Sequence, residues 1–313
     1  MTTTTLAMLQ LSLVKGVGPA RVRKARELAA TQGRSLAAAI AADGLTELLS
    51  PEQRVLLAEA APLAELALER LTAAGVTLVC IDDDGYPRAL ARRGLAQAPP
   101  LLMIRGNKGL LQKPSVGFCG SRAASERGLA VAADCADQLA GADIVVTSGY
   151  AAGVDLAAHA AALRGGGATT IVLAEGILGF RVKPELAAVW AWDRACVVSE
   201  FAATAPWTAG NAMQRNRTIV GLGQAMVLIE AGATGGSIAA GRDALAAGVP
   251  LFAPEYDGMP STATGNRELL RQGARPLLRS RATMRANLGE LLATVASRAA
   301  PTVAVAPQLA LLA

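Results

Sequence analysis

The sequence predicts an α/β fold: a Rossmann-like parallel sheet with helices on both faces, preceded by a small all-helical domain. Three observations predict it. Short apolar runs recur from Val76 onward, each ending in small or polar residues, and helix-like amphipathic stretches separate most of them. Before Val76, apolar residues recur at helical spacing with no strand-like alternation. Nearly continuous apolar strands divided by helices are the pattern of a sheet buried on both faces.

Residues 1–75 read as short helices broken at Gly16–Pro19, Gly33, Asp43–Gly44, Ser50–Pro51 and Gly75, a helix-hairpin-helix type of domain. Residues 76–285 form the extended Rossmann-like domain. It opens with VTLVCID, DDGYPRAL and the extended PPLLMIRG, and continues through SVGFCG, DIVVTSG, TTIVLAEG, ACVVSE, AMVLIEAG and PLFAPE. Stretches such as SERGLAVAADCADQLAG and SIAAGRDALAAG lie between them as helices. Residues 286–313 are a C-terminal piece, too short for a winged helix. The run RSRATMRANLGELLATVASRAA is expected as one basic amphipathic helix, and PTVAVAPQLALLA as a flexible or lightly docked tail.

The 313 residues suit one large domain with small accessory pieces. Hydrophobic residues make up 52% but aromatics only 3%, so Ala, Val, Leu and Ile must pack the core. The net charge of +5 comes from arginine, which suits bidentate contacts with phosphate and favours anionic partners. Cys80, Cys119, Cys135 and Cys196 form no CxxC pair, and the single histidine, His159, cannot complete a zinc site with them. No metal and no cofactor are expected, and the thiols read as buried and reduced. MTTTTLAMLQ lacks the charge and apolar run of a signal peptide, and no uncharged apolar run approaches the ~20 residues of a membrane span. A cytoplasmic protein with no membrane partner is expected.

In an open α/β sheet, ligands bind beyond the carboxyl ends of the strands. Those loops are rich in glycine here. Gly120-Ser121-Arg122 follows one strand, Ser148-Gly149-Tyr150-Ala151-Ala152-Gly153-Val154-Asp155 another, and Gly232, Thr234, Gly235, Gly236 and Ser237 a third. Glycine lets backbone amides approach a ligand, and each following helix offers unpaired N–H groups with a positive dipole end. Arg122 adds a cation, and the three loops together predict a phosphate-binding rim. Gln214-Arg215-Asn216-Arg217, read as opening the helix TIVGLG, adds two more cations, with Glu200 or Glu230 available to compensate one internally. Asp155 and His159, one turn apart, are expected to order their loop. Glu175 and Glu230 at strand ends read either as a carboxylate pair or as orienters of loop amides. At the N-terminus, Gly16 and Gly18 followed by Arg21, Arg23, Lys24 and Arg26 fit two readings equally: a hairpin that holds a DNA phosphate through Gly16, Gly18, Arg21 and Lys24, or a helix–helix turn with a solvated basic face. There is no GxxxxGK[ST], no GxGxxG after the first of these strands and no GxSxG, so neither ATP hydrolysis, ordinary NAD binding nor serine catalysis is supported, and no enzyme is expected.

From about Val76 to Leu278 the chain resembles the DprA/Smf DNA-processing protein A family. The matching segments occur in order: DDGYPRAL at 83–90, PPLLMIRGN, GSR at 120–122, SGYAAGVDLAAH at 148–159, SEF at 199–201, RNR at 215–217, EAGATGGS at 230–237 and GNRELLRQGA at 265–274. The resemblance implies an extended Rossmann fold that dimerises, binds single-stranded DNA, and loads a RecA-type recombinase onto incoming strands during natural transformation. It implies a DNA pocket that here comprises Arg122, Ser148, Gly149, Gly153, Arg215 and Arg217. Three departures stand out. Relatives usually carry an aromatic and a proline before the arginine pair, where this chain has Asn211-Ala212-Met213-Gln214. The threonine of the usual SGSxxTA stretch is missing from Gly236-Ser237-Ile238-Ala239-Ala240-Gly241, and no C-terminal winged helix is read. The alternative is a nucleotide sensor or nucleotide-processing enzyme on the same fold, similar to the cytokinin-activating phosphoribohydrolases. Their PGGxGTxxE signature lacks its leading proline and trailing glutamate at Ala233–Ile238.

Overall fold

A computed structural model describes residues 3–92, 98–256, 258–260 and 263–299. Among these, nine strands form one sheet in the order β1-β2-β6-β5-β4-β3-β7-β8-β9. The strands are β1 (Val76–Cys80), β2 (Leu101–Gly106), β3 (Ser115–Cys119), β4 (Val145–Ser148), β5 (Thr169–Val172), β6 (Ala195–Ser199), β7 (Ala225–Leu228), β8 (Leu251–Pro254) and β9 (Arg275–Leu277). From β6 across to β9 every neighbouring pair is parallel. β1 and β2 run antiparallel to their neighbours, so the Rossmann-like sheet is parallel-dominated with an antiparallel edge. The central strands are buried along their whole length, as their apolar runs require.

Alternate residues face opposite sides. Val116, Phe118, Val146 and Val227 meet α6 (Glu126–Gly141), α7 (Val154–Arg164) and α12 (Gly289–Ala299). On the same side, Ile171, Val197 and Leu101 join Met8, Leu11 and Leu71 of the N-terminal helices α1 (Thr3–Ser12), α2 (Pro19–Thr31), α3 (Leu36–Ala41) and α4 (Pro51–Ala73). The other side packs Val172, Val198, Met226 and Leu228 under α5 (Arg88–Arg92), α9 (Ala209–Leu222), α10 (Gly236–Ala246) and α11 (Thr264–Arg271). A short α8 (Pro184–Ala187) lies between β5 and β6. None of the described helices is long and apolar enough to cross a membrane.

Two expectations need correction. α9 begins at Ala209, where the Thr208 side chain accepts the Asn211 N–H at 3.0 Å. Arg215 and Arg217 therefore lie in mid-helix and do not oppose a helix dipole. The run from Arg279 is not one helix. Arg279 bridges Ala286 in a small hairpin, and α12 starts only at Gly289. The tail 301–313 lies outside the described residues.

Candidate nucleic-acid interface

The chain runs from β3 through β4, β5 and β6 in one direction across the sheet, then starts β7 on the far side of β3. Strand order reverses there, which opens a crevice between the loops after β3 and β7. These loops and the one after β4 interlock. Val154 N–H donates to Ser121 O at 3.3 Å, and Ser237 Oγ donates to Gly120 O at 2.8 Å. Asn216 Nδ2 reaches Gly236 O at 3.3 Å. The contacts leave no room for side chains: a Cβ on Gly120 would lie 2.5 Å from Val154, and one on Gly153 2.5 Å from Ser121 O.

Among the helices that open on this edge, α6 and α9 are capped by Ser125 and Thr208. α7 and α10 are not. They start at Gly153 (φ 79°) and Gly235 (φ 101°), with no side-chain cap on either. Their positive dipole ends open on this edge, the arrangement that binds anions, although the Val154 N–H of α7 is already given to Ser121 O. The Arg122 side chain is exposed beside it, with no ion pair among the described residues.

Beneath the rim lies a buried polar framework. Asp155 accepts from Ser148 Oγ at 2.9 Å and from Ala151 N–H at 3.1 Å. His159 Nε2 lies 2.7 Å from Gly149 O and its Nδ1 2.5 Å from Thr169 Oγ1. The two residues thus fasten different atoms of one loop rather than each other. Glu230, fully buried, accepts from Ser125 N–H (2.9 Å) and Ser125 Oγ (2.5 Å) and fixes the start of α6. Glu175 follows β5, three strand spacings from β7, so these two carboxylates do not pair.

Several residues expected to meet phosphate are turned inward. Ser148 is fully buried. Gln214 donates to Glu200 at 2.7 Å, and Arg215, only 8% exposed, donates to Val172 O at 2.8 Å. Arg217 lies along α10, 3.9 Å from Asp243. Gly149 is buried as well, against Arg215 and with its carbonyl on His159, and Gly120, Ser121, Arg122, Gly153, Gly235, Gly236, Ser237 and Asn216 are the ones brought together at the rim. In the N-terminal hairpin, Gly16, Gly18 and Lys24 are exposed, and Arg21 bonds Gly16 O at 3.3 Å and Gln53 at 3.2 Å. Arg23 and Arg26 face the sheet domain, bonding Ala98 O and Asp82.

Sequence reasoning missed Asn266, which accepts Ala231 N–H at 2.9 Å and donates to Ile229 O at 2.8 Å, holding the loop after β7 from 35 residues away. Glu200, expected as an internal partner of the arginines, contributes charge near Arg215 and accepts from Thr218 Oγ1 at 2.7 Å besides Gln214. An asparagine in the first turn of a helix reads locally as an ordinary helix-start residue, so no nearby signal marks Asn266.

The model of the family of DNA recombination-mediator protein A matches residues 77–287. The chain belongs to that family. It is 32% identical over 194 residues to DNA processing protein DprA of Streptococcus pneumoniae, covering 62% of this chain and 68% of that protein. Protein Smf of Escherichia coli is 34% identical over 200 residues, covering 63% of this chain but 53% of its own, so the chain spans about half of that relative. The X-ray structure of the streptococcal DprA superposes with a TM-score of 0.73 at 25% identity, over 88% of this chain and 95% of that one. A Helicobacter pylori DprA structure, described for its single-stranded DNA binding mode, shares the fold (TM-score 0.58, 22% identity, 71% and 96% covered).

In this member of the DprA family the single histidine gives a clean probe of the framework. Burial lowers the His159 pKa, against the opposing effects of the Gly149 hydrogen bond and the Asp155 charge. The unfolded chain takes up a proton near pH 6.5, and the folded one only at lower pH. Stability is therefore complete above about pH 6.5 and falls as pH drops toward the folded value, by at most about 1.4 kcal/mol per pH unit. Glu200, raised by burial, works in the opposite direction: the folded state holds its proton where the unfolded state has lost it, so stability is regained on acidification. The difference between wild type and His159→Gln isolates the histidine. Urea midpoints at pH 7.5 and 5.5 are expected to fall more in wild type than in the variant, and equal falls would contradict this.

Proposed function

We propose that this DprA-family chain binds single-stranded DNA along the rim and acts in the cytoplasm as a recombination mediator without catalytic turnover. In that role it shields incoming strands and loads a RecA-type recombinase during natural transformation, working as a homodimer. The observation that carries the reading is the pair of uncapped helix N-termini, α7 and α10, converging through interlocked glycine loops on a strand-order switch with Arg122 beside it. Backbone donors and one guanidinium recognise sugar-phosphate without regard to sequence. Against thiol chemistry in particular stands the state of the four cysteines. Burial pushes the Cys80 thiol up to about 11 and Cys119 up to about 12, and Cys135 and Cys196 higher still, so every thiol stays protonated at neutral pH.

The test is a salt titration of oligo-dT binding. Affinity is expected to fall linearly on a log–log plot as counterions are retained at high salt. Arg122→Ala should weaken binding about tenfold and reduce the slope by about 1. Arg70→Ala on α4, outside the rim, should match wild type. Salt-independent binding, or a thermal shift with mononucleotides and none with oligo-dT, would reverse the reading in favour of a nucleotide sensor.

A further inference from the structure

β8 and β9 run parallel to β7, so the loops that follow them emerge on the same edge as the rim. β9 is three strand spacings from β3, roughly 14 Å at about 4.8 Å per strand. Between these loops and α6 lies a cleft of about 300 Å³, whose lining includes Arg127, Tyr256, Leu278, Arg279, Met284 and Arg285. That is the small end of the range for ligand-binding clefts, roughly 300–1,000 Å³, with room for one planar group.

We propose that this cleft is a second subsite of the DNA path, where one base of the bound strand stacks beside the Tyr256–Arg127 pair and Arg279 grips the neighbouring phosphate. The inference rests on the rim binding single-stranded DNA. Four features carry it. The Arg127 guanidinium lies over the Tyr256 ring, 3.8 Å from its centroid, which makes a flat, cationic platform in a chain poor in aromatics. The platform is tied to the rim, because Tyr256 OH donates at 3.3 Å to Glu230, the same carboxylate that fixes Ser125 behind the Gly120–Arg122 loop. Leu278 and Met284 are 51% and 56% exposed on the cleft wall, and Met284 is held at φ 59°, so apolar surface flanks the ring where a base would slide in. The charge balance favours phosphate. Asp134 is consumed by Arg285 and by Ala286 N–H (2.7 Å), and Asp137 by Arg285. Arg279 has only its Nε engaged, on Met284 O at 2.6 Å, and no ion pair among the described residues. Among the described residues of the lining, exposed Glu255 is the one opposing charge left over.

Photo-crosslinking of 5-iodouracil-substituted oligo-dT to the full chain, with the adduct mapped by mass spectrometry, tests the subsite on the unaltered protein. An adduct on Tyr256 is expected. Tyr256→Ala should bind the oligonucleotide about tenfold more weakly, with Tyr256→Phe, which keeps the ring, restoring affinity. Arg279→Ala should lower the salt slope by about 1. Wild-type binding to oligo-dT with no adduct on Tyr256 and no loss in Tyr256→Ala overturns the subsite and leaves the rim intact. Failure of the wild type to bind oligo-dT overturns both. Should Tyr256→Ala melt early, the adduct position alone decides.

Discussion

Replacing Arg215 with alanine is expected to lower folding stability by about 3–5 kcal/mol, the range for breaking a buried, charge-compensated group. Its guanidinium is almost enclosed, donates Nη1 to Val172 O at the end of β5, and lies directly under Gly149. Burial alone disfavours its charge. Asp155 provides the largest compensation, and Glu175 and Glu200 add to it. A guanidinium keeps its proton in proteins, so Arg215 stays charged and its acidic neighbours depend on it. Alanine would leave Asp155, itself 7% exposed, with only Ser148 and Ala151 as donors, and would leave Val172 O unpaired. Urea unfolding at pH 7 reads the loss. In an Asp155→Asn background the same substitution should cost less, because the charge it balances is gone, and the difference is the coupling between them. A loss under about 1 kcal/mol, or strict additivity, would show that Arg215 is not the keystone of the framework.

Why the fold was legible, and where it was not, follows from what each feature demands locally. β3 to β8 must be apolar on both faces, so runs such as SVGFCG and AMVLIEAG declare themselves. Strand direction leaves no trace in such a run, so the antiparallel setting of β1 and β2 is not legible in theirs. β9 is three residues long with Pro276 in its middle, too short to announce itself. The glycine loops were legible because no other residue fits a Cβ-free contact at positive φ. The direction of each arginine was not. Thr208-Ala209-Gly210 looks like loop, since glycine is a poor helix former, and this hid the true start of α9. Once the helix begins there, Arg215 shares a face with buried Thr218, Ile219 and Leu222, while Arg217 is turned outward toward Asp243. Asn266 and Tyr256 reach the site from distant segments, and local sequence cannot foresee such partners.

Gly153→Ala is expected to damage both the fold and the rim. Two independent costs add at that position. The backbone stands at φ 79°, ψ −126°, where an L side chain is strained by about 1–3 kcal/mol. The new Cβ would also lie 2.5 Å from Ser121 O and 2.8 Å from Arg122 O. These are backbone atoms, so no rotamer change relieves the clash, and overpacking of this kind costs typically about 1–3 kcal/mol more. Together, roughly 2–6 kcal/mol is expected in a urea titration. The structure can escape only by moving the Gly120–Arg122 loop away from the α7 N-terminus, which breaks the Val154 N–H to Ser121 O contact and opens the crevice. Oligo-dT affinity should therefore fall further in Gly153→Ala than in Arg122→Ala, even at temperatures where the variant remains folded. By contrast Gly166→Ala, at φ 77° with open space around its Cβ, carries the strain without the collision and should leave binding untouched. If the two glycine variants behaved alike, the rim would owe its shape to backbone strain alone and not to the packing of one loop against another.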